Sequence, residues 1–414
     1  MSSLEALKCK ECGERYPLEA RFVCDVCFGP LEVQYDFSGL DAETTKRRIQ
    51  AGPHDIWRYS DFLPFETRPK SALGAGLTPL VRADRLAEKL GLREVWVKND
   101  AANPTHSFKD RVVTVALAKA QELGYKTVAC ASTGNLANAV AAHAAAAGLE
   151  SYVFIPADLE EQKILATGIY GTNLVAVRGN YDEVNRLCTE IAGERDWAFV
   201  NVNMRPYYSE GSKTLAYEIA EQLGFELPDR LVAPIASGSL FTKIARGFEE
   251  WLEVGLIGGE LPKFNGAQAL GCSPVAQAYE AGHDVCRPVR PKTIAKSLAI
   301  GNPADGPYAL DLARRSGGGI DSVTDDEIRE GIKLLAQTTG IFTETAGGTT
   351  TAVLKKLADR GDIGADERVV IVITGEGLKT LDAVRGTFET HEIAPSYDEF
   401  VDQVEGKTSV GIGS

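Results

Sequence analysis

The sequence predicts an α/β protein in which mostly parallel sheets are covered by helices on both faces, preceded by a small cysteine-rich module. Three observations carry that expectation. Apolar, strand-like runs alternate with amphipathic or alanine-rich segments at spacings typical of βαβ units. Three of those runs end in glycine-bearing loops that open a helix pattern, the place where open parallel sheets bind ligands. Four of the eight cysteines are gathered at the N-terminus as two C-x-x-C pairs.

At 414 residues the chain is long enough for two or three domains and a large core. A hydrophobic content of 44% with 25% charged residues is that of a globular protein. No apolar run approaches membrane-spanning length, and the start, Met1-Ser-Ser-Leu-Glu5, lacks the basic and apolar regions of a leader. A net charge of −14 repels nucleic acid, and no basic run offsets it. These features suggest a cytoplasmic enzyme acting on a small molecule, with no nucleic-acid or membrane partner.

Residues 1–36 form the first module. Cys9, Cys12, Cys24 and Cys27 are two pairs separated by eleven residues, a spacing that directs four thiolates at one tetrahedral zinc. So short a module buries too little core to be stable alone, and a metal would supply the difference. With all four positions cysteine, no vacancy for water is implied and the zinc is structural. The alternatives are two disulfides, which a reducing compartment disfavours, a site that has lost its metal, and a redox role, for which a thioredoxin-like context is missing. Lys10, Arg15 and Arg21 are outnumbered by Glu11, Glu14, Glu19 and Asp25, so the module makes no phosphate-binding surface. The other cysteines, Cys130, Cys188, Cys272 and Cys286, are scattered singly and read as reduced thiols.

Residues 37–98 read as a connecting arm and the start of a large domain, with Trp57-Arg-Tyr-Ser-Asp-Phe-Leu-Pro64, Gly76-Leu-Thr-Pro-Leu80 and a strand at Glu94–Lys98. Residues 99–205 read as a smaller α/β domain, 206–390 as the large α/β domain, and 391–414 as an extension ending in a small, polar, mobile tail at 406–414. Strands are expected at Thr127–Ala131, Ser151–Ile155, Asn173–Val177, Ala198–Val202, Leu231–Ile235, Ala267–Gly271 and Val369–Ile373. Helices are expected at Leu136–Ala147, Tyr181–Ala192 and Lys213–Leu223.

The segment Asn103-Pro-Thr-His-Ser-Phe-Lys109-Asp-Arg111 places one lysine at the mouth of an apolar helix, Ser107 to Leu123. Val112, Val113, Val115, Ala116, Leu117, Ala120 and Leu123 would form its buried stripe, and Gly124 ends it. The positive end of the helix dipole and partial burial both disfavour an ammonium there, which suits a neutral, nucleophilic amine. An ordinary surface lysine at a helix start is the plainer reading of this segment alone.

The three loops are chemically distinct. Ala131-Ser132-Thr133-Gly134-Asn135 presents backbone N–H groups at a helix start, suited to a carboxylate, and Asn135 can bond a phenolic oxygen. Ala236-Ser237-Gly238-Ser239-Leu240 offers N–H groups and two hydroxyls as an anion nest. Thr374-Gly375-Glu376-Gly377 follows an apolar strand. Glu344 reads equally as a site carboxylate or as a charge at a helix start.

The string NPTHSFKDR resembles the cofactor-lysine segment of threonine synthases, within the tryptophan-synthase-β-like, pyridoxal-phosphate fold type II enzymes. The WRYSDFLP and LTPL stretches, Ser297–Pro303 and Phe342–Gly348 are similar to segments of the same family. The resemblance runs from Cys9 to about Phe388 and implies two doubly wound α/β domains behind the zinc-ribbon-like module. It implies Lys109 as the Schiff-base residue, Asn135 against the cofactor's 3′-oxygen, Ala236 to Leu240 around its phosphate, and Thr374 at its pyridine nitrogen. Ser132 and Thr133 would then hold the substrate carboxylate. The implied reaction is conversion of O-phospho-L-homoserine and water to L-threonine and phosphate, in a homodimer. Thr105, Ser107, Asn138, Lys213 and Arg205 are the candidates to hold the substrate phosphate.

Many threonine synthases carry an arginine two residues before an EGQKT-like run. Here Tyr208 stands at that place and Arg205 lies three residues upstream. That departure leaves open a β-replacement on O-phosphoserine, as in cysteate synthases, or a serine or threonine ammonia-lyase. A non-catalytic zinc-bearing binding protein would need the lysine and its three loops to coincide by chance.

Overall fold

Arg111 lies in the interior with no exposed surface, and three other segments of chain converge on it. In the computed structural model, which describes residues 3–69, 73–132, 134–159, 161–179 and 181–405, its guanidinium binds Asp100 at 2.6 and 2.8 Å and Glu218 at 2.7 Å. It also donates to the hydroxyls of Thr214 at 2.9 Å and Thr78 at 3.0 Å. Lys98 closes the cluster, bonding Glu218 at 2.6 Å and the Thr78 carbonyl at 2.7 Å. Two buried cations face two buried carboxylates, so the interior charge is balanced.

Around this centre the chain forms three sheets. β1 (Ser3–Cys9), β2 (Arg15–Tyr16) and β3 (Leu31–Asp36) make an antiparallel sheet in the order β2-β1-β3. Its alternation is plain in β3, where Leu31, Val33 and Tyr35 are buried and their neighbours are half-buried. The further strands are β4 (Leu80–Arg82), β5 (Glu94–Asn99), β6 (Thr127–Ala131), β7 (Glu150–Pro156), β8 (Asn173–Val177) and β9 (Ala198–Phe199). They are followed by β10 (Arg230–Pro234), β11 (Lys263–Ala269), β12 (Gly319–Val323) and β13 (Arg368–Ile373). One six-stranded sheet has the order β12-β11-β10-β13-β5-β4, parallel except for β4. A four-stranded sheet, β8-β7-β6-β9, is parallel throughout.

Most expected strands stand within a few residues of their places. β9 is shorter than expected because Asn203 folds back: its carboxamide oxygen accepts from the Phe199 N–H at 2.8 Å and its nitrogen donates to Trp197 at 2.9 Å. β12 was not expected, since Gly-Ile-Asp-Ser-Val after a glycine run carries little apolar signal. The helix expected from Lys213 begins at Thr214, after a short 3-10 turn at Gly211–Lys213. The lysine helix spans Lys109–Glu122, and Asp110, Arg111, Thr114 and Lys119 are buried together with the apolar stripe. As far as Ala120 it is buried on nearly every side, which one amphipathic stripe did not foretell.

The first module lies on the body through specific contacts. The Lys10 ammonium sits 3.6 Å from the centre of the Tyr308 ring, and the Tyr308 hydroxyl donates to Glu11. The Tyr35 hydroxyl donates to Glu210 at 2.6 Å, and Tyr207 donates to the Glu19 carbonyl at 3.0 Å. The three basic residues between Cys9 and Cys27 pair with acids: Lys10 with Glu32, Arg15 with Glu5, and Arg21 with Glu19.

The chain divides into a body, Met1–Leu378, and a second unit, Lys379–Ser414. Within the second, Tyr397–Phe400 is a helical turn and Val401–Glu405 another. Thr133 and the tail expected at 406–414 lie outside the described residues. Among the described residues no helix is long and apolar enough to cross a membrane.

Burial opposes ionisation of Glu218, but Arg111 and Lys98 outweigh it and hold its carboxyl down at about 2. A carboxyl lowered on folding contributes fully above its ordinary value of 4.5, and that contribution is lost as pH falls from there toward 2. Glu218→Gln leaves two buried cations facing one carboxylate and is expected to cost about 3–5 kcal/mol at neutral pH. It should also flatten the acid side of the stability curve. Urea unfolding at neutral pH and at pH near 3 measures both effects.

Candidate active site

β13 ends at Ile373, and the chain continues as Thr374-Gly375-Glu376-Gly377 with a segment bonded along each edge. On one edge Phe108 N–H donates to the Thr374 carbonyl at 2.9 Å, and Glu376 N–H donates to His106 at 3.1 Å. On the other, Glu344 N–H and the Thr343 hydroxyl donate to the Gly375 carbonyl at 3.1 and 3.0 Å, and Gly377 N–H donates to Phe342 at 3.1 Å. The lysine-bearing segment and the acid-bearing segment are thereby fixed to the same strip of backbone.

Glu344 occupies the N-cap position of the helix Thr345–Asp359 but makes no side-chain cap bond there. Its carboxylate accepts from the Asn135 carboxamide at 3.0 and 3.2 Å. A Cβ on Gly375 would lie 2.5 Å from Glu344 Oε1, so only glycine allows this approach. Glu344 is thus a carboxylate within the site as well as a residue at a helix start.

Lys109 is the first residue of its helix, half-buried, and its Nζ donates to the Tyr208 hydroxyl at 2.7 Å. Behind it, Asp110 accepts from the Thr105 N–H at 2.8 Å, the Thr105 hydroxyl at 2.9 Å and His143 Nε2 at 2.7 Å. Thr105 therefore supports the turn before the helix and has its hydroxyl proton committed to Asp110. Ser107 is fully buried and faces Gly375. The Thr374 hydroxyl, at the end of β13, has no hydrogen-bond partner among the described residues, which suits a residue facing a ring nitrogen.

The loop after β6 carries Ser132, whose hydroxyl accepts from Ala137 N–H at 3.3 Å and Gly134 N–H at 3.4 Å, capping the helix Asn135–Ala147. Asn138 lies one turn along and accepts from the Thr167 hydroxyl at 3.0 Å.

The loop after β10 runs Ile235-Ala236-Ser237-Gly238 into the helix Ser239–Val254. Gly238 takes φ +99°, and a Cβ there would meet the Asp305 carbonyl oxygen at 2.7 Å. The Asp305 N–H donates to the Ser237 carbonyl at 2.8 Å. Ala236, Ser237, Ser239 and Leu240 are half-buried, with Ser239 and Leu240 opening the helix. Arg205 reaches the same place, donating to Asp305 at 2.9 Å. The loop therefore opens a helix N-terminus, where backbone N–H groups favour an anion, with a guanidinium beside its supporting aspartate.

Lys213 is a correction. It is fully buried and bonds Glu250 at 3.0 Å and Glu210 at 2.7 Å. Glu250 lies eleven residues beyond Ser239, about 16 Å along that helix. Burial opposes the charge on Glu210, yet Lys213 and Lys243 hold its carboxyl below the ordinary value. Lys213 is thus one charge of an interior network and cannot serve a phosphate at the loops.

Cys9, Cys12, Cys24 and Cys27 bring all four sulfurs within 4.8 Å of one another, with Cys9–Cys27 at 3.4 Å and Cys12–Cys24 at 3.5 Å. Four bonds of about 2.3 Å to a tetrahedral zinc need sulfurs roughly 3.8 Å apart, so the donor set fits that ion.

Sequence reading missed Asp305 and the Asp110–His143 pair, and noted Tyr208 only for the residue it replaces. Asp305 lies two residues beyond the Ser297–Pro303 segment that is similar to the family, and Tyr208 shares a helix face with Arg205. His143, in an alanine-rich helix, gave no signal beyond being a polar interruption.

The pyridoxal-phosphate dependent enzyme family matches residues 72–375. The threonine synthase of Methanocaldococcus jannaschii is 39% identical over 380 residues, covering 91% of this chain and 93% of that one. That of Methanosarcina acetivorans is 41% identical over 376 residues, covering 90% and 92%. Among solved structures, threonine deaminase isoform 2 from Solanum lycopersicum superposes with a TM-score of 0.63 at 20% identity, covering 84% and 89%. A fungal L-serine ammonia-lyase from Rhizomucor miehei superposes with a TM-score of 0.64 at 20% identity, covering 76% and 99%. These two share the fold, whereas the synthases share both length and sequence, and the chain belongs to the threonine synthase family of pyridoxal-phosphate dependent enzymes.

Proposed function

We propose that the chain converts O-phospho-L-homoserine and water to L-threonine and phosphate, with pyridoxal phosphate held by Lys109. The observation that carries this is the bonding of the Lys109 segment directly to the Thr374–Gly377 strip, with Asn135 and Glu344 joined across it. The residues fit the cofactor. Ala236 to Leu240 would hold its phosphate, Asn135 its 3′-oxygen, and the Thr374 hydroxyl its ring nitrogen. When bound, pyridoxal phosphate supplies an electron sink for negative charge at the substrate's α-carbon.

The chain's own residues then have separable tasks. Ser132 and Thr133, at the loop before the helix Asn135–Ala147, would take the substrate carboxylate. The Lys109 amine would remove the α-proton and then a β-proton. Arg205, at the anion loop, would favour departure of phosphate from Cγ before water adds at Cβ. Thr105 has its hydroxyl proton on Asp110 and Asn138 accepts from Thr167, whereas Arg205 gives one N–H to Asp305 and has others to offer a phosphate, with Ser107 as the second candidate.

The cysteine cluster supports one structural zinc. Its four thiolates, with four other cysteines buried singly, suit a reducing cytoplasm. A homodimer follows from the resemblance, and sedimentation checks it.

Measuring phosphate and amino-acid products from phosphohomoserine and phosphoserine side by side tests the substrate; release from phosphoserine alone would favour β-replacement. Lys109→Ala should abolish turnover while leaving folded protein, and mass spectrometry after borohydride reduction should locate the adduct of the wild type on Lys109. An adduct on Lys98 would overturn the assignment. Chelation or Cys24→Ser should lower the melting temperature and leave the surviving folded protein active, with metal analysis giving one zinc per chain. Arg205→Ala should reduce kcat/KM about 30- to 1000-fold, or roughly 2–4 kcal/mol. Arg205→Lys should recover only part, since lysine lacks the paired donors of guanidinium.

A further inference from the structure

Lys109 and Tyr208 share one hydrogen bond, and among the described residues it is the only one that either side-chain terminus makes. The Lys109 nitrogen is the donor and the Tyr208 oxygen the acceptor, at 2.7 Å. The phenolic hydrogen therefore remains uncommitted and turns away from the lysine. Tyr208 is half-buried, so a ligand can reach it. That unused donor next to the reactive amine is open to an acceptor that arrives with the substrate.

The short helix Arg205–Glu210 gives the direction. Arg205 and Tyr208 are three residues apart and share a face. Arg205 bonds Asp305, whose backbone holds Ser237 and bounds Gly238. One helix face thus carries a hydroxyl touching Lys109 and, beside the loop proposed for the cofactor's phosphate, a guanidinium with further N–H groups to offer the substrate's own phosphate.

The leaving group sets the chemical need. A phosphate ester dianion that departs from Cγ unaided leaves as a strongly basic trianion. Departure as hydrogenphosphate requires a proton on the bridging oxygen as the bond breaks. Lys109 gains a proton when it deprotonates Cβ, but Cβ and the bridging oxygen lie on either side of Cγ.

We propose that Tyr208 is the acid that protonates the departing phosphate, reloaded by the proton that Lys109 takes from Cβ; this rests on phosphohomoserine as the substrate. The Cβ–H bond breaks and its electron pair forms the Cβ–Cγ double bond. The proton passes to Lys109 Nζ. An N–H proton moves to the Tyr208 oxygen while the phenolic proton moves to the bridging oxygen. The Cγ–O bond breaks with its electrons on that oxygen, and hydrogenphosphate departs. No oxidant or further reactant is needed.

Tyr208→Phe keeps the ring and removes only the hydroxyl. Two rates are measured on the cofactor-loaded enzyme: phosphate release from phosphohomoserine, and α-hydrogen exchange of L-threonine in deuterium oxide, which needs Lys109 but no phosphate departure. The expected result is a fall in kcat for phosphate release of about 100-fold or more, with KM and the exchange rate within about 3-fold of wild type. Bound-cofactor absorbance and melting temperature verify the fold. Loss of both rates together would make Tyr208 a positioning residue for Lys109 and overturn the proposal, as would retention of both. Wild-type enzyme that releases phosphate only from phosphoserine would instead remove the substrate reading, a result distinct from any outcome in the variant.

Discussion

Arg111 fills a position that neither water nor another residue type could take. Its planar fork meets Asp100 and Glu218 while two threonine hydroxyls accept its other protons, and Lys98 balances the second acid. The partners come from the arm, from β5 and the residue after it, and from the helix Thr214–Gln222. Taking these charges out of water is costly, and only mutual pairing makes it tolerable. What the arrangement provides is location. Arg111 is two residues past Lys109, so fixing the guanidinium fixes the first turn of the lysine helix. It also explains why Lys98, equally buried, is held as a structural cation by Glu218 and Gln222.

The site is then assembled from ends of strands. Loops follow β6, β10 and β13, and in the proposed function they would hold the carboxylate, the cofactor's phosphate and its ring nitrogen, as an open parallel sheet favours. Each is steadied from elsewhere in the chain: Asn135 by Glu344, Ser237 by Asp305, and Thr374 by Phe108. Most of these supports are backbone groups, and a side chain enters mainly where a charge must be oriented.

Local patterns made much of this legible. β6 stands where its apolar run begins and ends, because it lies inside a parallel ladder with all of its residues buried, whereas β8, at the edge of the same sheet and with no buried residue, was marked by its apolar string alone. The lysine, the three loops and the cysteine cluster were readable because each is a short, contiguous string. Partners distant in sequence were not. Lys213 looked like a phosphate ligand because nothing nearby reveals that Glu250, 37 residues on, claims it. Arg205 could be read as a cation near the site but not as the partner of Asp305, 100 residues away. β9 ended early for a reason carried by one asparagine, and β12 was hidden by its polar composition.

The strip Thr374–Gly377 is bonded along both edges, to His106–Phe108 on one and to Phe342–Glu344 on the other. Extended backbone alternates its faces with every residue, so a slip of one position would turn each side chain to the opposite side. Small sideways adjustments are excluded, since they would break ladder bonds without reaching the next set. The reach of Lys109 is consequently a matter of counting residues, and substitutions that respect the count leave it unchanged. An insertion or deletion between Phe108 and Lys109, however slight in volume, would point the amine into the wall.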